Sequence, residues 1–192
     1  LSSPDKLCAQ FNSVDLTCEK KVLSRWPDNS IRWLHITAEL SANHEPDKNV
    51  TLFIADEAQK QVSQFKSVEN ESNIQIENSQ FRYSINKHNA EITVTKLDSV
   101  DLKPWTINLQ LTNENATLVT FSLLSIQPIT TENSLFPCIQ IRGQWPSYPE
   151  LHFTAEVTFY SQGRIFLRYQ FHNANRAKHP GGIWDLGDPN SC

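Results

Sequence analysis

The sequence predicts an all-β fold of antiparallel sheets, because apolar and polar residues alternate along its longest regular stretches. In LHFTAEVTFY, residues 151–160, one face carries only apolar side chains. WTINLQLT, residues 105–112, alternates in the same way. A period of two over such lengths is typical of half-buried strands in antiparallel sheets. By contrast, the best helical candidate, residues 55–65, is short and poorly amphipathic.

Further strands are predicted from short apolar and β-branched runs that polar turn residues separate. They cover residues 7–11, 16–22, 31–40, 50–55, 74–77, 81–85, 91–97, 117–126, 139–142 and 165–171. Only five residues are Gly. The many Asn residues can fill turn positions that need positive φ, so the scarcity of Gly does not argue against a β fold.

A change of character at residues 67–73, SVENESN, predicts a boundary between two units. Residues 1–66 would form a small β-barrel or sheet domain. Residues 72–192 would form a β-sandwich, which begins with a hairpin of FRYSIN and AEITVTK around residues 87–89.

Composition excludes several classes of function. The formal net charge is −4, the pI is near 5.9 and no basic run could neutralise phosphates, so nucleic acid is not an expected partner. No apolar run approaches the length of a bilayer span. The chain begins with LSSPDK, without Met, in a segment predicted to fold, so we expect that a leader or an upstream piece has been removed.

The cysteines do not have the spacing of a metal site. None of the four stands in a CxxC pair, which argues against structural zinc. In LCAQFNSVDLTC, a register that pairs Phe11 with Asp15 would place Cys8 directly opposite Cys18. A cross-strand disulfide and two buried thiols are both compatible with this pattern.

The stretch RWPDNSIRW, residues 25–33, predicts a hairpin with an Arg-Trp pair on each strand, because its centre consists of turn-forming residues. With a three-residue loop, Trp26 would face Arg32 and Arg25 would face Trp33, in two cation–π pairs. With a four-residue loop the two arginines would be opposed, which is unfavourable unless an anion lies between them. We therefore expect the first register.

Two roles fit this hairpin. Its guanidinium groups could bind uronate carboxylates, and its indoles could bind the sugar rings of a polysaccharide. Alternation, however, places Arg32 at the outer end of an apolar face, where its stem packs and its head reaches water. We therefore interpret the Arg-Trp pairs as a structural device at a corner of the barrel, in preference to a substrate grip.

The densest group of unusual residues is FHNANRAKHPGGIWDLGDPNSC, at the C-terminal end. Its segment HPGGIWDLGDPNS, together with RWPDNSIRWL and FTAEVTFYSQGRIFLRYQFHN, resembles the exo-rhamnogalacturonan lyase family and its bacterial relatives. Asn29 stands where that family commonly has Gly, a change that a turn tolerates. The resemblance is weak between residues 40 and 140.

The resemblance implies a longer protein. Members of the family have an N-terminal RIFT-type barrel, a central β-sandwich and a C-terminal α/α toroid. No sequence with a helical period is present for the toroid. Residues 1–66 would thus be the RIFT-type barrel and residues 72–192 a truncated sandwich, and likeness of fold does not carry catalysis to a chain without the toroid.

The expected function is a non-catalytic scaffold that contributes to the substrate cleft of a polysaccharide lyase-like protein, in an extracellular or periplasmic location. Its partners would be an acidic polysaccharide of the rhamnogalacturonan type and the missing toroid. Two alternatives are a free-standing carbohydrate-binding module and a structural or adhesive β-domain.

β-Elimination from a uronate sugar needs a base and a group that neutralises the carboxylate. The possible bases are Tyr160, Tyr169, His172, Lys178 and His179, and of these His179 and Tyr160 are the catalytic candidates. The neutralising group would be Arg176, or Ca²⁺ held by Asp185 and Asp188. No other cofactor is expected.

Each of these residues also fits a structural role. Tyr169 shares the parity of the apolar residues of its strand, which predicts a core side chain. Asp185 and Asp188 flank a Leu-Gly turn that their side chains could cap without a metal. His179 precedes Pro180 in an extended loop, where a hydrogen-bonding role is common.

Trp184 is the strongest candidate for contact with a glycan or a neighbouring domain. A large indole in a Gly-rich loop, outside the alternating strands, has few roles in a core, and sugar rings stack on such faces. Together with Arg176, Lys178 and His179, Trp184 makes up the predicted carbohydrate-binding set.

Overall fold

A computed structural model describes residues 1–40, 49–58, 63–98, 103–108, 111–112, 117–129 and 134–173. The predicted all-β class is confirmed, since these ranges contain sixteen strands and no helix. The described ends of the helical candidate, residues 55–58 and 63–65, are not helical. Its centre lies outside the described residues.

The strands pair in antiparallel fashion within five sheets, two of which are single pairs outside the larger sheets. In chain order the strands are β1 (Leu7–Phe11), β2 (Val14–Asp15), β3 (Cys18–Arg25), β4 (Ile31–Ala38), β5 (Val50–Ile54), β6 (Lys66–Glu69), β7 (Asn73–Glu77), β8 (Phe81–Asn86), β9 (Ile92–Lys96), β10 (Trp105–Ile107), β11 (Leu111–Thr112), β12 (Leu118–Val119), β13 (Ser122–Pro128), β14 (Cys138–Trp145), β15 (Tyr148–Phe159) and β16 (Ile165–Asn173).

Two sheets contribute to one sandwich core. One has the order β10-β9-β8-β7-β6, and the other has the order β13-β14-β15-β16. Burial of their inward apolar faces is the main stabilising term for this part of the chain. The largest fully buried side chains are Trp145, Tyr83, Phe153, Phe159, Ile74, Ile76, Ile85, Ile92, Ile139, Ile141, Val94 and Val157.

The strand that the alternation of residues 151–160 predicts is present as part of β15. Every second residue from Phe153 to Phe159 is buried, while the residues between them remain partly accessible. The period of two turns this apolar set toward the other sheet, where the ring centroid of Phe159 lies 4.8 Å from that of Tyr83 on β8. The sequence pattern therefore identifies the core face of this strand correctly.

Residues 105–112 form two strands where the alternation predicts one. β10 pairs with β9, which places Trp105 opposite Val94 and Ile107 opposite Ile92. β11 pairs with β12 in a different sheet. Alternation reports that a residue run is extended, but it carries no information about which strand is its neighbour.

The segment of residues 67–73 is a hairpin. β6 pairs with β7, and the Oδ1 atom of Asn70 accepts hydrogen bonds from the backbone N–H groups of Ser72 and Asn73 in the turn between them. β6 therefore belongs to the five-stranded sheet. The division of the chain into two domains stays a prediction.

The N-terminal strands form a second, smaller core. β2, β1 and β5 make a three-stranded sheet, and β3 and β4 make a hairpin. Ala9, Phe11, Leu16 and Cys18 are buried together in this core. Over the described residues these strands do not close on themselves, and the RIFT-type barrel stays a prediction.

The register between β1 and β2 differs from the predicted one. Phe11 pairs with Val14, not with Asp15, so Cys8 does not face Cys18. The cause is a tight two-residue turn with positive φ at both positions. Both cysteines are buried thiols, and each sulfur donates to the backbone carbonyl two residues earlier. Of the two alternatives, the pair of thiols is therefore the observed one.

The Arg-Trp hairpin has neither of the predicted registers. Arg25 pairs with Ile31, and irregularities shift the register further along β3 and β4. One of the two expected cation–π pairs forms, with the guanidinium carbon of Arg32 4.5 Å from the ring centroid of Trp26. Arg25 instead donates to two backbone carbonyls, at 2.8 and 2.7 Å. One of these belongs to Ser2, a partner that the local sequence could not reveal.

Candidate functional site

Most of the predicted site residues lie outside the described residues. These are Arg176, Lys178, His179, Trp184, Asp185 and Asp188. Their roles in carbohydrate binding, in catalysis and in binding calcium therefore stay predictions. Tyr160, Tyr169 and His172 lie within the described part, Tyr160 directly after β15 and the other two on β16.

Tyr160 directly follows β15, and its contacts are those of a side chain that packs within the fold. Its ring centroid lies 4.8 Å from that of Phe136, and its carbonyl accepts a hydrogen bond from the hydroxyl of Tyr83 at 2.8 Å. Burial raises the pKa of the Tyr160 phenol, and the nearby carboxylates of Glu19 and Glu39 add to the effect. A phenol whose pKa is raised above its usual range stays protonated near neutral pH and is a poor base there.

The two candidates on β16 differ in environment. Tyr169 stacks on Phe153, with ring centroids 5.3 Å apart, and burial raises its pKa to about 12. Its predicted role as a side chain against the core is confirmed. His172 is exposed and pairs across the sheet with His152. In the described part, neither residue lies beside a partner that would activate it as a base.

Two carboxylates of the N-terminal strands bind loops of the sandwich. Glu19 on β3 accepts three hydrogen bonds at its Oε2 atom. The donors are the hydroxyl of Ser134 at 2.6 Å and the backbone N–H groups of Leu135 and Phe136 at 3.0 and 3.3 Å. Three donors offset much of the cost of partly burying the charge. Glu19 therefore fixes the loop of residues 134–136 against β3.

Glu39, directly after β4, fixes a second loop in the same way. It accepts hydrogen bonds from the hydroxyl and the backbone N–H of Ser161, and its other oxygen accepts from the backbone N–H of Gln162 at 3.2 Å. Residues 161–162 belong to the tight turn between β15 and β16. We call the contacts of Glu19 and Glu39 with these two loops the junction.

A cleft of about 490 Å³ is lined by residues on both sides of the junction. Phe11 and Leu16 line it from the N-terminal core, while Phe65 and Phe136 line it from the sandwich. Glu39 and the two turn residues that it binds, Ser161 and Gln162, also line the cleft. We call this concavity the junction cleft, and its volume is in the range of small-molecule sites.

The Arg-Trp hairpin presents a second surface of interest. Trp26 and Trp33 are 51% and 63% exposed, although indoles are usually more buried. Arg25 and Arg32 are also exposed. The hairpin therefore carries exposed cationic and aromatic side chains, with Arg32 lying over the ring of Trp26 and Arg25 bonded to two backbone carbonyls.

Sequence reasoning missed Glu19 and Glu39. Both are ordinary acidic residues within predicted strands, Glu19 in the middle of one and Glu39 near the end of another, and their partners are more than 100 residues away in the chain. Asn12 and Ser13, at the tip of the β1–β2 turn, did carry a usable signal, since such residues tolerate positive φ. That signal reveals the turn but not the cleft beside it.

Among the described residues, no group of three or more His, Cys, Asp or Glu side chains is arranged to hold a metal ion. Nor do those residues include a helix with the length and apolarity that a bilayer crossing needs. In comparisons with known proteins, the chain matches no family model, no curated protein and no solved structure. The features of the described residues that bear on function are the junction, the cleft and the hairpin.

Proposed function

We propose that the chain is a non-catalytic, glycan-facing scaffold of a polysaccharide lyase-like protein that acts on acidic, rhamnogalacturonan-type polysaccharide. The observation that carries the proposal is the exposure of the Arg-Trp hairpin, which suits it to bind glycan in addition to the structural role that its sequence indicates. Guanidinium groups pair with uronate carboxylates, and indole faces pack against the apolar C–H groups of sugar rings. The hairpin exposes both kinds of side chain: Arg32 over the ring of Trp26, and the separate indole of Trp33.

The junction supports the role of a scaffold. Glu19 and Glu39 each bind a loop of the sandwich through backbone and hydroxyl donors. Hydrogen bonds to a charged group are stronger than those between neutral groups, so these contacts oppose relative motion of the two cores. A glycan held at the hairpin would then keep a fixed position relative to the sandwich.

The tyrosines support the non-catalytic part of the proposal. An elimination base must accept a proton at the working pH, which requires a pKa near that pH. Burial shifts the pKa values of Tyr160 and Tyr169 upward, in the direction that makes each phenol less able to act as a base. Catalysis would then belong to the toroid partner, and the protein would act outside the cell or in the periplasm, as the resemblance implies.

A free-standing carbohydrate-binding module is the second candidate. The same exposed indoles favour it, because a module must bind glycan without help from another domain. A structural or adhesive β-domain would have no affinity for glycan. The strength of binding by this chain alone therefore separates the three roles.

The test combines retardation in polysaccharide-containing native gels with a measurement of product. The 192-residue chain is run through gels that contain rhamnogalacturonan, polygalacturonate or no polysaccharide. In parallel, the ultraviolet absorbance of unsaturated uronate is followed with and without Ca²⁺. Trp33→Ala is the test variant, and Trp105→Ala is the matched control, because Trp105 is a similarly exposed indole on β10 of the sandwich.

We expect weak retardation by the acidic polysaccharides and no product. Trp33→Ala should weaken the retardation about tenfold, which corresponds to about 1.4 kcal/mol, while Trp105→Ala should leave it unchanged. Steady formation of product would overturn the non-catalytic role. Absence of retardation in a folded sample would overturn glycan binding at the hairpin, and tight retardation by this chain alone would favour the free-standing module.

A further inference from the structure

The junction cleft combines an apolar floor with a polar rim. Phe11, Leu16 and Phe136 are nearly inaccessible to solvent yet line the cleft, so they form its floor. Phe65 is half-buried and extends the aromatic surface. Phenyl faces of this kind accept the C–H face of a sugar ring or another flat apolar group.

The rim is rich in amides. Asn12, Gln64 and Gln162 line the cleft, and Asn12 and Gln64 are exposed. An amide offers a donor and an acceptor side by side, and the hydroxyl of Thr17 offers both on one atom. Ligand hydroxyl groups are likewise both donors and acceptors, so they match this rim better than a group that only donates or only accepts.

The charges of the lining select against anions. Asp15 and Glu39 line the cleft, and the described lining contains no Lys, Arg or His. A uronate carboxylate placed here would meet like charge without a compensating cation, which is unfavourable. The hairpin has the opposite character, because its cations are Arg25 and Arg32.

The carboxylates also already accept hydrogen bonds from the protein, so part of their acceptor capacity is taken up. Both oxygens of Glu39 accept hydrogen bonds from Ser161 and Gln162. Oδ1 of Asp15 accepts one from Gln10 at 2.8 Å. The amides and Thr17 are therefore the groups most suited to specify a ligand.

We propose that the junction cleft binds an uncharged sugar residue of a glycan, with its C–H face against Phe65 and Phe136 and its hydroxyl groups at the amide rim. The inference rests on the proposed glycan-binding function. It adds that neutral sugar residues and acidic sugar residues bind at different surfaces of the protein. The hairpin takes the uronate and the junction cleft takes the neutral residue. The bound sugar would contact both cores and so strengthen the junction.

The test is titration calorimetry and saturation-transfer NMR with two uncharged disaccharides, lactose and cellobiose, and with trigalacturonate. Thr17→Trp fills the mouth of the cleft from an exposed position, and Gln64→Ala removes one amide. Gln170→Ala is the matched control, since Gln170 is an exposed glutamine on β16 outside the cleft lining. Melting temperatures of all variants are compared first, so that a loss of fold is not mistaken for a loss of binding.

We expect at least one disaccharide to bind with a millimolar or lower dissociation constant and trigalacturonate to bind elsewhere. Thr17→Trp should abolish binding of the disaccharide, and Gln64→Ala should weaken it about threefold to tenfold. Gln170→Ala should leave it unchanged. No saturation transfer to either disaccharide, or binding that Thr17→Trp leaves intact, would overturn the inference.

The two proposals fail in different ways. Thr17→Trp should keep its retardation by acidic polysaccharide, and Trp33→Ala should keep its affinity for the disaccharide. If the disaccharide binds in the cleft but polysaccharide gels do not retard the chain, the hairpin proposal is wrong and the cleft inference stands. Competition between trigalacturonate and the disaccharide for the cleft would overturn the cleft inference alone.

Discussion

Glu39 accepts hydrogen bonds from Ser161, a residue 122 positions further along the chain. The contact joins the end of β4 to the turn between β15 and β16. A second carboxylate, Glu19, does the same for the loop of residues 134–136. The relative placement of the N-terminal core and the sandwich therefore depends on two acidic side chains with long-range partners.

Removal of the Glu39 side chain should destabilise the junction. We expect Glu39→Ala to lower the free energy of unfolding by about 1–3 kcal/mol, because the donors of Ser161 and Gln162 lose their acceptor. Glu39→Gln keeps one oxygen and should cost less. Urea unfolding followed by circular dichroism measures both, with the exposed Glu57→Ala as control. Equal stability of Glu39→Ala and the control would show that the contact contributes nothing.

Gly143 on β14 should not tolerate a side chain. A Cβ atom there would lie 2.6 Å from Cζ of Phe153 and 3.0 Å from the carbonyl oxygen of Ser122. The ring of Phe153 cannot move away easily, because it stacks on Tyr169. We expect Gly143→Ala to cost about 1–3 kcal/mol of stability, measured by thermal unfolding.

The double variant Gly143→Ala with Phe153→Leu identifies the cause. Replacing the ring removes the obstructing atoms, so the double variant should be more stable than the sum of the two single effects predicts. Strict additivity would mean that the destabilisation by Gly143→Ala comes from the backbone contact with Ser122 and not from the ring of Phe153.

Replacement of Ser13 by glycine should stabilise the fold. Its φ is 63°, in the left-handed region that costs a residue with a Cβ atom roughly 1 kcal/mol. We expect Ser13→Gly to raise the melting temperature slightly, because relief of strain exceeds the entropy that Gly adds to the unfolded chain. Ser67→Gly on β6, where the backbone is extended, should lower it. A lower melting temperature for Ser13→Gly would contradict the assigned turn.

Stability should fall in alkaline solution as the buried tyrosines titrate. Burial raises the pKa of Tyr169 to about 12, and burial together with Glu39 raises the pKa of Tyr83. Because the unfolded phenol has a pKa of about 10, the unfolded state loses its proton first. The stabilising contribution is thus complete below about pH 10 and is lost as the pH rises toward 12.

Urea unfolding at pH 8, 10 and 11 measures this loss. Tyr169→Phe should show a shallower fall in stability above pH 10 than the unmodified chain. Absorbance titration should show Tyr160 ionising late as well, since burial raises the pKa of that phenol. An unchanged slope in Tyr169→Phe would mean that other groups cause the alkaline loss.

The all-β class, the core face of β15 and the core role of Tyr169 follow from the sequence alone. Alternation determines them, because a strand places every second side chain on one face whatever its neighbours are. The sequence also indicates the turn at Asn12 and Ser13, because residues of these types tolerate positive φ. These are local properties of the chain.

Tertiary structure decided the remaining features. Arg25 donates to the carbonyl of Ser2 and does not form the predicted pair with Trp33, and the hairpin has neither of the expected registers. Glu19 and Glu39 find donors more than 100 residues away, and their contacts shape the junction cleft. Such pairings depend on which groups the folded chain brings within hydrogen-bond distance. The residues next to a carboxylate in the sequence therefore do not indicate which distant group will donate to it.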